Sequence, residues 1–391
     1  MTRRILLLAG IFALALILTF PAAAQSDWSV YLFDSSSQQV MRVGLDGKAQ
    51  PYDLGVPSGA VLGQGAIDFA PDGKRIVYCT PAGADGHFEL IVKNLANTSG
   101  QPLQVNVGRG QGCWVKFSDD ASQIAVGLVR YYAGDSSADT SVPPWSLLVI
   151  DAATGNQLHE MDLSKGGSNF DAKQTIMPEV RYFANGQIIF AGLAWGTDGS
   201  PSSPAYLWTL SDDSILLIDR WWHSGLDSLS STGELVWTEL DPSRPAAQPD
   251  GPIPQANIVK LANMGGQERV IYTTPDWVVL SATFIDNGRQ IAINQVQGAD
   301  QNRWIALDRS GASSQLATTS GFSQIMAAPD GYVILWSSDN SASAVLTLDY
   351  YSGREKTTLW QQQASGGINW SLLWAAPTAT ADNLQPFPAV N

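Results

Sequence analysis

Residues 67–79 of this chain read IDFAPDGKRIVYC: an apolar run, a tight Pro-Asp-Gly turn and a second apolar run. Glycine supplies the positive φ that a short hairpin loop needs, and aspartate hydrogen-bonds back to the local backbone. The stretch therefore predicts two antiparallel strands joined by a tight turn. The same unit recurs along the chain, and its other copies begin at Val115, Val180, Leu226, Ala282, Ile325 and Ile368.

Most of these hairpins are followed by a second hairpin with its own turn, as at Asp151 to Gly155 and Asp308 to Gly311. A repeating unit of four antiparallel strands is the blade of a β-propeller. The chain opens with three strands that lack an innermost strand, whereas one strand of the innermost type follows at Ile368 to Trp374. We therefore predict an all-β fold, a seven-bladed β-propeller whose C-terminal strand completes the first blade, with six or eight blades as the alternatives.

Composition agrees with a large, turn-rich domain. The 391 residues are 45% hydrophobic and only 15% charged, and they include 36 glycines and 21 prolines. The formal net charge is -14. Nucleic acids and anionic lipids are bound through clusters of Lys and Arg, which this chain lacks, so nucleic acid is excluded as a partner.

The N-terminal residues have the three-part layout of a secretory signal. Arg3 and Arg4 precede an apolar run from Ile5 to Phe20, and small residues follow at 22–24. We expect a signal peptide over 1–24, a propeller domain over 25–376 and a disordered tail over 377–391. The mature protein would then be extracytoplasmic (periplasmic, secreted or at the cell surface), with no stable membrane span. An uncleaved membrane anchor is the alternative.

The Asp-Gly turns also resemble those of a known family. Residues 69–78, FAPDGKRIVY, are similar to the repeat of the TolB-like, or PD40, bacterial propellers, and partial copies stand at Phe117 to Asp120 and Ala328 to Gly331. The resemblance covers nearly the whole mature chain at the level of the repeat. It implies a periplasmic platform that binds protein partners, sometimes a peptide entering the central channel.

The chain has two cysteines, Cys79 and Cys113. Cys79 ends the second strand of one blade and Cys113 begins the first strand of the next, so both lie on the same face of adjacent blades. Export would place them in an oxidising compartment, and a disulfide is therefore expected. Two buried free thiols are the alternative.

Catalytic signals are sparse. The histidines His87, His159 and His223 fall in different blades, and no zinc-binding pair or nucleophile elbow is present, so we assign no catalytic residue, no metal ligand and no cofactor. Three carboxylates stand on or near innermost strands: Asp68, Glu179 and Asp227. They are candidates to hold calcium or to act in lactone or glycan chemistry, and the simpler interpretation is a solvated channel wall.

Loop lengths predict the working face, because the connections between the second and third strands and those between blades emerge on one side of a propeller. The long loops, at 131–145, 164–177, 194–204 and 241–255, all belong to this set. Aromatic residues in or beside them are the predicted anchors for a partner, since Trp and Tyr are favoured in interfaces and stack on sugars. The predicted binding residues are Tyr131, Tyr132, Trp145, Trp195, Trp221, Trp222 and His223. Packing of these rings between blades is the alternative.

The sequence therefore favours an exported, non-catalytic propeller that serves as a binding platform for a protein, a peptide or an envelope glycan. A propeller-type hydrolase, lyase or lactonase that uses channel carboxylates, with calcium as a candidate ion, is the alternative. A structural spacer is a third interpretation.

Overall fold

The structure is a computed structural model, and thirty strands and two short 3-10 helices are assigned in the residues that it describes. The described residues are 28–37, 39–53, 66–82, 86–95, 100–131, 142–166, 178–191, 194–195, 201–202, 205–219, 227–229, 232–239, 256–263, 268–298, 301–319, 321–329, 331–339, 341–364, 369–375 and 384–390. The predicted signal peptide, 1–24, lies outside them. No helix in this part of the chain is long and apolar enough to cross a membrane.

The described residues form seven antiparallel sheets of four strands each, which confirms the predicted seven-bladed propeller. Blade 1 is closed as expected, because the C-terminal strand pairs with the first strand of the chain. From the inside outward its strands are β30 (Trp370–Trp374), β1 (Ser29–Asp34), β2 (Gln39–Gly44) and β3 (Ala49–Tyr52).

The next three blades follow in chain order. Blade 2 contains β4 (Ile67–Phe69), β5 (Arg75–Ala82), β6 (His87–Asn94) and β7 (Leu103–Arg109). Blade 3 contains β8 (Gly112–Phe117), β9 (Gln123–Val129), β10 (Trp145–Asp151) and β11 (Gln157–Glu160), and a 3-10 helix, Leu163–Lys165, follows it. Blade 4 contains β12 (Glu179–Ala184), β13 (Gln187–Ala191), β16 (Ala205–Thr209) and β17 (Ser214–Asp219), and carries a small hairpin of β14 (Ala194–Trp195) and β15 (Pro201–Ser202).

The last three blades complete the ring. Blade 5 contains β18 (Asp227–Leu229), β19 (Glu234–Glu239), β20 (Ile258–Asn263) and β21 (Arg269–Thr273). Blade 6 contains β22 (Val278–Ile285), β23 (Gln290–Gln297), β24 (Gln301–Asp308) and β25 (Ser313–Thr319), with a 3-10 helix at Asp286–Gly288. Blade 7 contains β26 (Ser323–Ala328), β27 (Gly331–Ser337), β28 (Val345–Ser352) and β29 (Glu355–Gln363).

The innermost strands touch one another in blade order, as a ring requires. β4 contacts β8, β8 contacts β12, and the series continues through β18, β22 and β26 to β30. Between β30 and β4 the ring is closed by Trp374, whose indole stacks on Phe69 with 5.0 Å between ring centroids. The core lies between the blades, where β-branched and aromatic side chains of facing sheets interdigitate.

The tight turns form as their sequences predict. Gly73 has a φ of +68°, and the Asp72 carboxylate accepts a hydrogen bond from the backbone nitrogen of Lys74 at 2.9 Å. The turn after β10 repeats this chemistry, because Asp151 accepts from the nitrogen of Thr154 at 2.7 Å and Gly155 has a φ of +75°. Local side-chain chemistry therefore sets the ends of these strands.

The C-terminal tail differs from the prediction. Residues 384–390 were expected to be disordered, yet they pack against blades 5 and 6, and the Phe387 side chain is 1% exposed. The backbone nitrogen of Val390 donates a hydrogen bond to the carbonyl oxygen of Val270 in β21 at 2.8 Å. The prediction is wrong for these residues because Phe387 and Leu384 pack into the cluster between blades 5 and 6, although the polar and proline-rich composition of the segment suggested no structure. Residues 376–383 and 391 lie outside the described part.

Candidate functional site

The propeller has two unlike faces. Turns between the first and second strands and between the third and fourth strands lie on one face, which we call the turn face. The opposite, long-loop face carries the other connections, and the largest that separate strands there are 130–144, 161–178 and 240–257. Much of these three segments lies outside the described residues. The described part of this face consists mainly of the strand ends beneath it.

Most of the predicted aromatic anchors fall in undescribed segments. Tyr132, Trp221, Trp222 and His223 lie outside the described residues. The backbone of Trp195 lies in β14 opposite Pro201, and its side chain is not among those described. Tyr131 is half-buried, and its hydroxyl donates to the carbonyl oxygen of Val142 at 2.9 Å. That hydrogen bond ties the two ends of the loop together.

Trp145 is not an exposed anchor. It begins β10, the third strand of blade 3, and its side chain is fully buried. Its ring centroid lies 5.7 Å from that of Phe190 in blade 4, inside the apolar cluster between the two blades. The prediction of exposure is wrong for this residue, because side chains of a central strand point to the neighbouring blades and not to solvent.

The two cysteines form the expected disulfide. Cys79 in β5 is bonded to Cys113 in β8, with 6.1 Å between their Cα atoms. Both residues are buried in the cluster between blades 2 and 3. The bond joins the second strand of one blade to the first strand of the next, and it therefore acts as a structural staple.

Two of the three channel carboxylates close the inner edges of strands. A carboxylate oxygen of Asp68 in β4 accepts from the backbone nitrogen of Phe117 in the next blade at 2.8 Å. Asp227 in β18 does the same for Phe284 at 2.8 Å, and also accepts from the Thr283 hydroxyl. The two aspartates are equivalent, since each pairs with the third residue of the following strand. Both satisfy backbone donors that the innermost strand would otherwise leave without a strand partner.

Glu179, the third of these carboxylates, forms an ion pair with Arg181 at 2.6 Å. Burial raises the pKa of Glu179, while the Arg181 guanidinium acts in the opposite direction. Burial likewise raises the pKa of Asp68, although the Lys116 ammonium, 3.9 Å from the carboxylate, opposes it. Each of the three carboxylates is thus engaged by groups of the protein itself.

No three His, Cys, Asp or Glu side chains of the described residues come together as a metal site. His87 lies half-buried in β6 and His159 is exposed on β11, in different blades, as the sequence indicated. In the described residues the predicted channel carboxylates are therefore brought to the innermost strands but not into one cluster.

A cluster that sequence reasoning missed lies at the long-loop end of the contact between blades 5 and 6. The guanidinium carbon of Arg303 stands 3.7 Å from the centroid of the Trp277 ring. Its Nε donates to Oε1 of Gln295 at 2.8 Å, and Nε2 of Gln295 donates to the hydroxyl of Tyr272 at 2.9 Å. The four residues come from four separate segments, which is why no local pattern announces them.

The only local sign of the cluster is the residue pair at one position of blade 6. Gln295 and Arg303 are direct cross-strand partners in β23 and β24, so two long polar side chains face each other in the two central strands of the blade. Sequence alternation could have revealed that pair. It could not have placed Trp277 over the guanidinium or Tyr272 beside the amide.

No protein-family model and no curated protein matches this chain. Among solved structures, a prolyl endopeptidase superposes with a TM-score of 0.56 at 10% identity, over 88% of this chain and 50% of that one. This chain thus spans about half the length of that enzyme. The oligogalacturonate lyase of Vibrio parahaemolyticus superposes with a TM-score of 0.54 at 14% identity, over 85% of this chain and 84% of the other.

TolB from Acinetobacter baumannii also superposes, with a TM-score of 0.44 at 14% identity, over 88% of this chain and 78% of that one. That similarity is too low to support an argument about relationship. At these identities the better superpositions establish the fold alone, and propellers with this fold include both enzymes and binding proteins. The chain is a seven-bladed β-propeller, and the function must be argued from its site.

Proposed function

We propose that this chain is an exported, non-catalytic binding platform for a protein, a peptide or a glycan in the cell envelope or outside the cell. Export rests on the signal-like residues 1–24, and the platform role rests on the asymmetry of the two faces. Blades 3, 4 and 5 have long connections between their second and third strands, whereas turns on the opposite face are mostly short. Binding residues are commonly grafted on loops that a rigid scaffold positions.

The engagement of the channel carboxylates supports binding more than chemistry. Asp68 and Asp227 each accept a backbone hydrogen bond from the next blade, and Glu179 is paired with Arg181. A general acid or base must be free to reach a substrate proton. Side chains that already complete the sheet edges or an ion pair serve the scaffold, which leaves recognition to the loops.

The proposal is tested by shortening loops on one face at a time. One variant replaces 132–141 and 241–254 with Gly-Ser linkers, and the control replaces residues 96–99, which connect β6 to β7. Each mature chain, from Gln25, is immobilised and exposed to envelope extract and to a glycan array. We expect a specific ligand to be retained by the wild type and the control and lost by the long-loop variant. Equal retention by all three chains would contradict the proposal.

The enzyme alternative has its own measurement. A hydrolase, lyase or lactonase should turn over lactones or glycans, with calcium added or removed, and should lose that turnover on Asp68→Asn, Glu179→Gln or Asp227→Asn. Turnover that these variants abolish in a correctly folded chain would overturn the non-catalytic proposal. Cleavage of the signal is checked separately, by mass spectrometry of the chain recovered from the periplasm or medium. Its N-terminus should lie at or near Gln25.

A further inference from the structure

We propose that Arg303 is a carboxylate-binding residue on the long-loop face, at the contact between blades 5 and 6. The inference rests on the proposed binding function, since it names one ligand group that the face recognises. The ligand chemistry is a single carboxylate. A peptide, through its C-terminus or an acidic side chain, is the source that the charge of the chain favours.

The guanidinium of Arg303 is held in place before any ligand arrives. Its Nε is fixed by Gln295 at 2.8 Å, and Gln295 is itself fully buried and bound to the Tyr272 hydroxyl. Its flat face lies over Trp277. An arginine restrained on one edge and one face has little rotational freedom left to lose when it binds.

The other edge of the guanidinium has no partner among the described residues. Neither terminal nitrogen of Arg303 hydrogen-bonds to a described residue, and no described carboxylate forms an ion pair with it. The two terminal amino groups of arginine form a planar fork that matches the two oxygens of a carboxylate. Arg303 therefore presents the recognition edge of a bidentate site while its remaining edge is used for positioning.

Arg309, in the same blade, is an arginine whose guanidinium is hydrogen-bonded on both edges. Its Nη1 and Nη2 contact the Glu234 carboxylate at 3.2 and 2.7 Å, its Nε donates to the carbonyl oxygen of Gly288, and Nη1 also donates to that of Gln385. Arg309 lies on the turn face, where the chain provides its own carboxylate. Arg303 lies at the opposite end of β24, where no carboxylate of the described residues pairs with it.

The site opens where a ligand of the long-loop face would pass. Trp277 immediately precedes β22, and Arg303 stands near the start of β24, so both belong to the strand ends beneath that face. Both side chains are half-buried and reach solvent. Nε2 of Gln297 donates to the carbonyl oxygen of Asp276 at 3.2 Å, which ties the two loops that flank the cluster.

Charge favours a ligand with one carboxylate over a polyanion. The chain carries a formal net charge of -14, so a long acidic polymer would be repelled by most of the surface. A single carboxylate gains from a half-buried, preorganised guanidinium and incurs little of that repulsion. A bidentate arginine-carboxylate contact is also short-ranged and directional, which gives orientation to the ligand as well as affinity.

The direct test is a titration followed by two-dimensional 1H-15N NMR on the mature chain. The indole N–H signal of Trp277 is assigned from its absence in Trp277→Phe. N-acetylglutamate N-methylamide and D-galacturonate are titrated, together with their neutral counterparts, N-acetylglutamine N-methylamide and galactose. We expect a saturable shift of the Trp277 signal with a carboxylate ligand and none with the neutral ones. The ligand that saturates identifies a peptide or an acidic sugar as the source.

Two variants separate recognition from structure. Arg303→Gln should weaken the apparent Kd by about tenfold or more, and Arg303→Lys, which retains the charge but not the fork, should weaken it by several-fold. Arg354→Gln is the matched control, because this substitution removes the same charge. Arg354 is exposed in a turn of blade 7 on the opposite face. The substitution should leave the titration unchanged.

The proposal is overturned if the neutral compounds shift the Trp277 signal as much as the carboxylates do. It is also overturned if neither carboxylate shifts the signal, or if Arg303→Lys and Arg303→Gln bind as the wild type does. Thermal unfolding of each variant shows whether it is folded, and Arg303→Lys keeps the test available if the glutamine variant is not. Because this titration uses no envelope ligand, its failure leaves the loop-shortening result to stand or fall independently.

Discussion

Two contacts between neighbouring blades differ in the interactions that hold them together. We call the contact between blades 2 and 3 seam 2/3, and the contact between blades 5 and 6 seam 5/6. Each seam is an apolar cluster between two sheets. At the inner end both use the same device, an aspartate that accepts the backbone nitrogen of the next blade, Asp68 in one seam and Asp227 in the other. The repeat therefore conserves the geometry of the inner strands within one molecule.

At the turn face the two seams use different interactions. In seam 2/3 the first residue of the second strand is Arg75, which donates to the carbonyl oxygens of Ala121 and Ala152 in the next blade. In seam 5/6 the equivalent residue is Glu234, and the cation comes from the other blade as Arg309. The arginine thus comes from the first blade in seam 2/3 and from the second blade in seam 5/6, and only in seam 5/6 does it pair with a carboxylate.

Each seam also has a clamp that the other lacks. Seam 2/3 has the disulfide between Cys79 and Cys113. Seam 5/6 has the C-terminal tail, whose Phe387 is buried in the cluster and lies under the Arg309 guanidinium at 4.5 Å. The comparison teaches that a repeated blade can be locked covalently or by a segment outside the repeat, and the two clamps can be broken separately.

The largest effect is expected from the disulfide. The double variant Cys79→Ser, Cys113→Ser opens a loop with a sequence separation of 34 residues, which should lower the free energy of unfolding by roughly 4 kcal/mol on the loop-entropy account. Denaturant unfolding measures the loss. Reductant should lower the stability of the wild type by the same amount and leave the double variant unchanged. A wild type that is indifferent to reductant would show that the staple contributes nothing.

The next effect is expected from Arg309→Met. Glu234 and Arg309 are 7% and 10% exposed, and removing one partner leaves a buried carboxylate uncompensated, which should cost about 3 kcal/mol. Arg75→Met in seam 2/3 breaks two hydrogen bonds to carbonyl oxygens and a contact with the Phe117 ring, and should cost about 1 kcal/mol. Adding Glu234→Met to Arg309→Met should recover much of the loss. Equal losses for Arg75→Met and Arg309→Met would show that leaving the Glu234 carboxylate without its arginine adds no cost.

A smaller effect is expected from Phe387→Ala. Removing a buried phenylalanine costs about 3 kcal/mol or more, but here the loss cannot exceed the docking free energy of the tail, so we expect about 2 kcal/mol. Val390→Ala is the control, since Val390 is 44% exposed and should change little. Denaturant unfolding and limited proteolysis of the tail measure both. Identical curves for Phe387→Ala and the wild type would mean that the tail does not clamp seam 5/6.

The smallest effect is a pH dependence at the inner end of seam 2/3. Burial raises the folded-state pKa of Asp68 above its unfolded value of about 3.9. The contribution of Asp68 to stability is therefore fully present below its pKa in the unfolded state. It is lost as pH rises through its pKa in the folded state. Asp68→Asn retains an acceptor for the Phe117 nitrogen and lacks that loss.

The stability of the wild type relative to Asp68→Asn should consequently fall as pH rises from about 3.5 to 7. Unfolding midpoints across that range measure the slope. Asp46→Asn is the control, because hydrogen bonds from Lys48 lower the pKa of Asp46. The stability of the wild type relative to Asp46→Asn should therefore rise with pH. A slope for Asp68→Asn with the sign of the control would contradict the assignment of a raised pKa.

Some of this comparison was available from the sequence. The Asp-Gly turns gave the strand ends, because they depend on the backbone of a few consecutive residues, as at Asp72 and Gly73. The disulfide followed from the position of two cysteines at facing strand ends. Trp145 was misassigned, because the same tryptophan at the edge of a long loop can either begin a buried strand or end an exposed loop.

The four-stranded blade, the favoured count of seven and the closure of the ring could be predicted from the chain, since turn chemistry and hydrophobic runs act over a few neighbouring residues and repeat. Apart from the disulfide, the groups that meet between blades became visible only in the folded structure. Arg309 and Glu234 are 75 residues apart, Phe387 reaches a cluster built by two distant blades, and Arg303 is positioned by three residues from other segments. The partners of these side chains are chosen by the stacking of sheets, and stacking leaves no local mark in the chain.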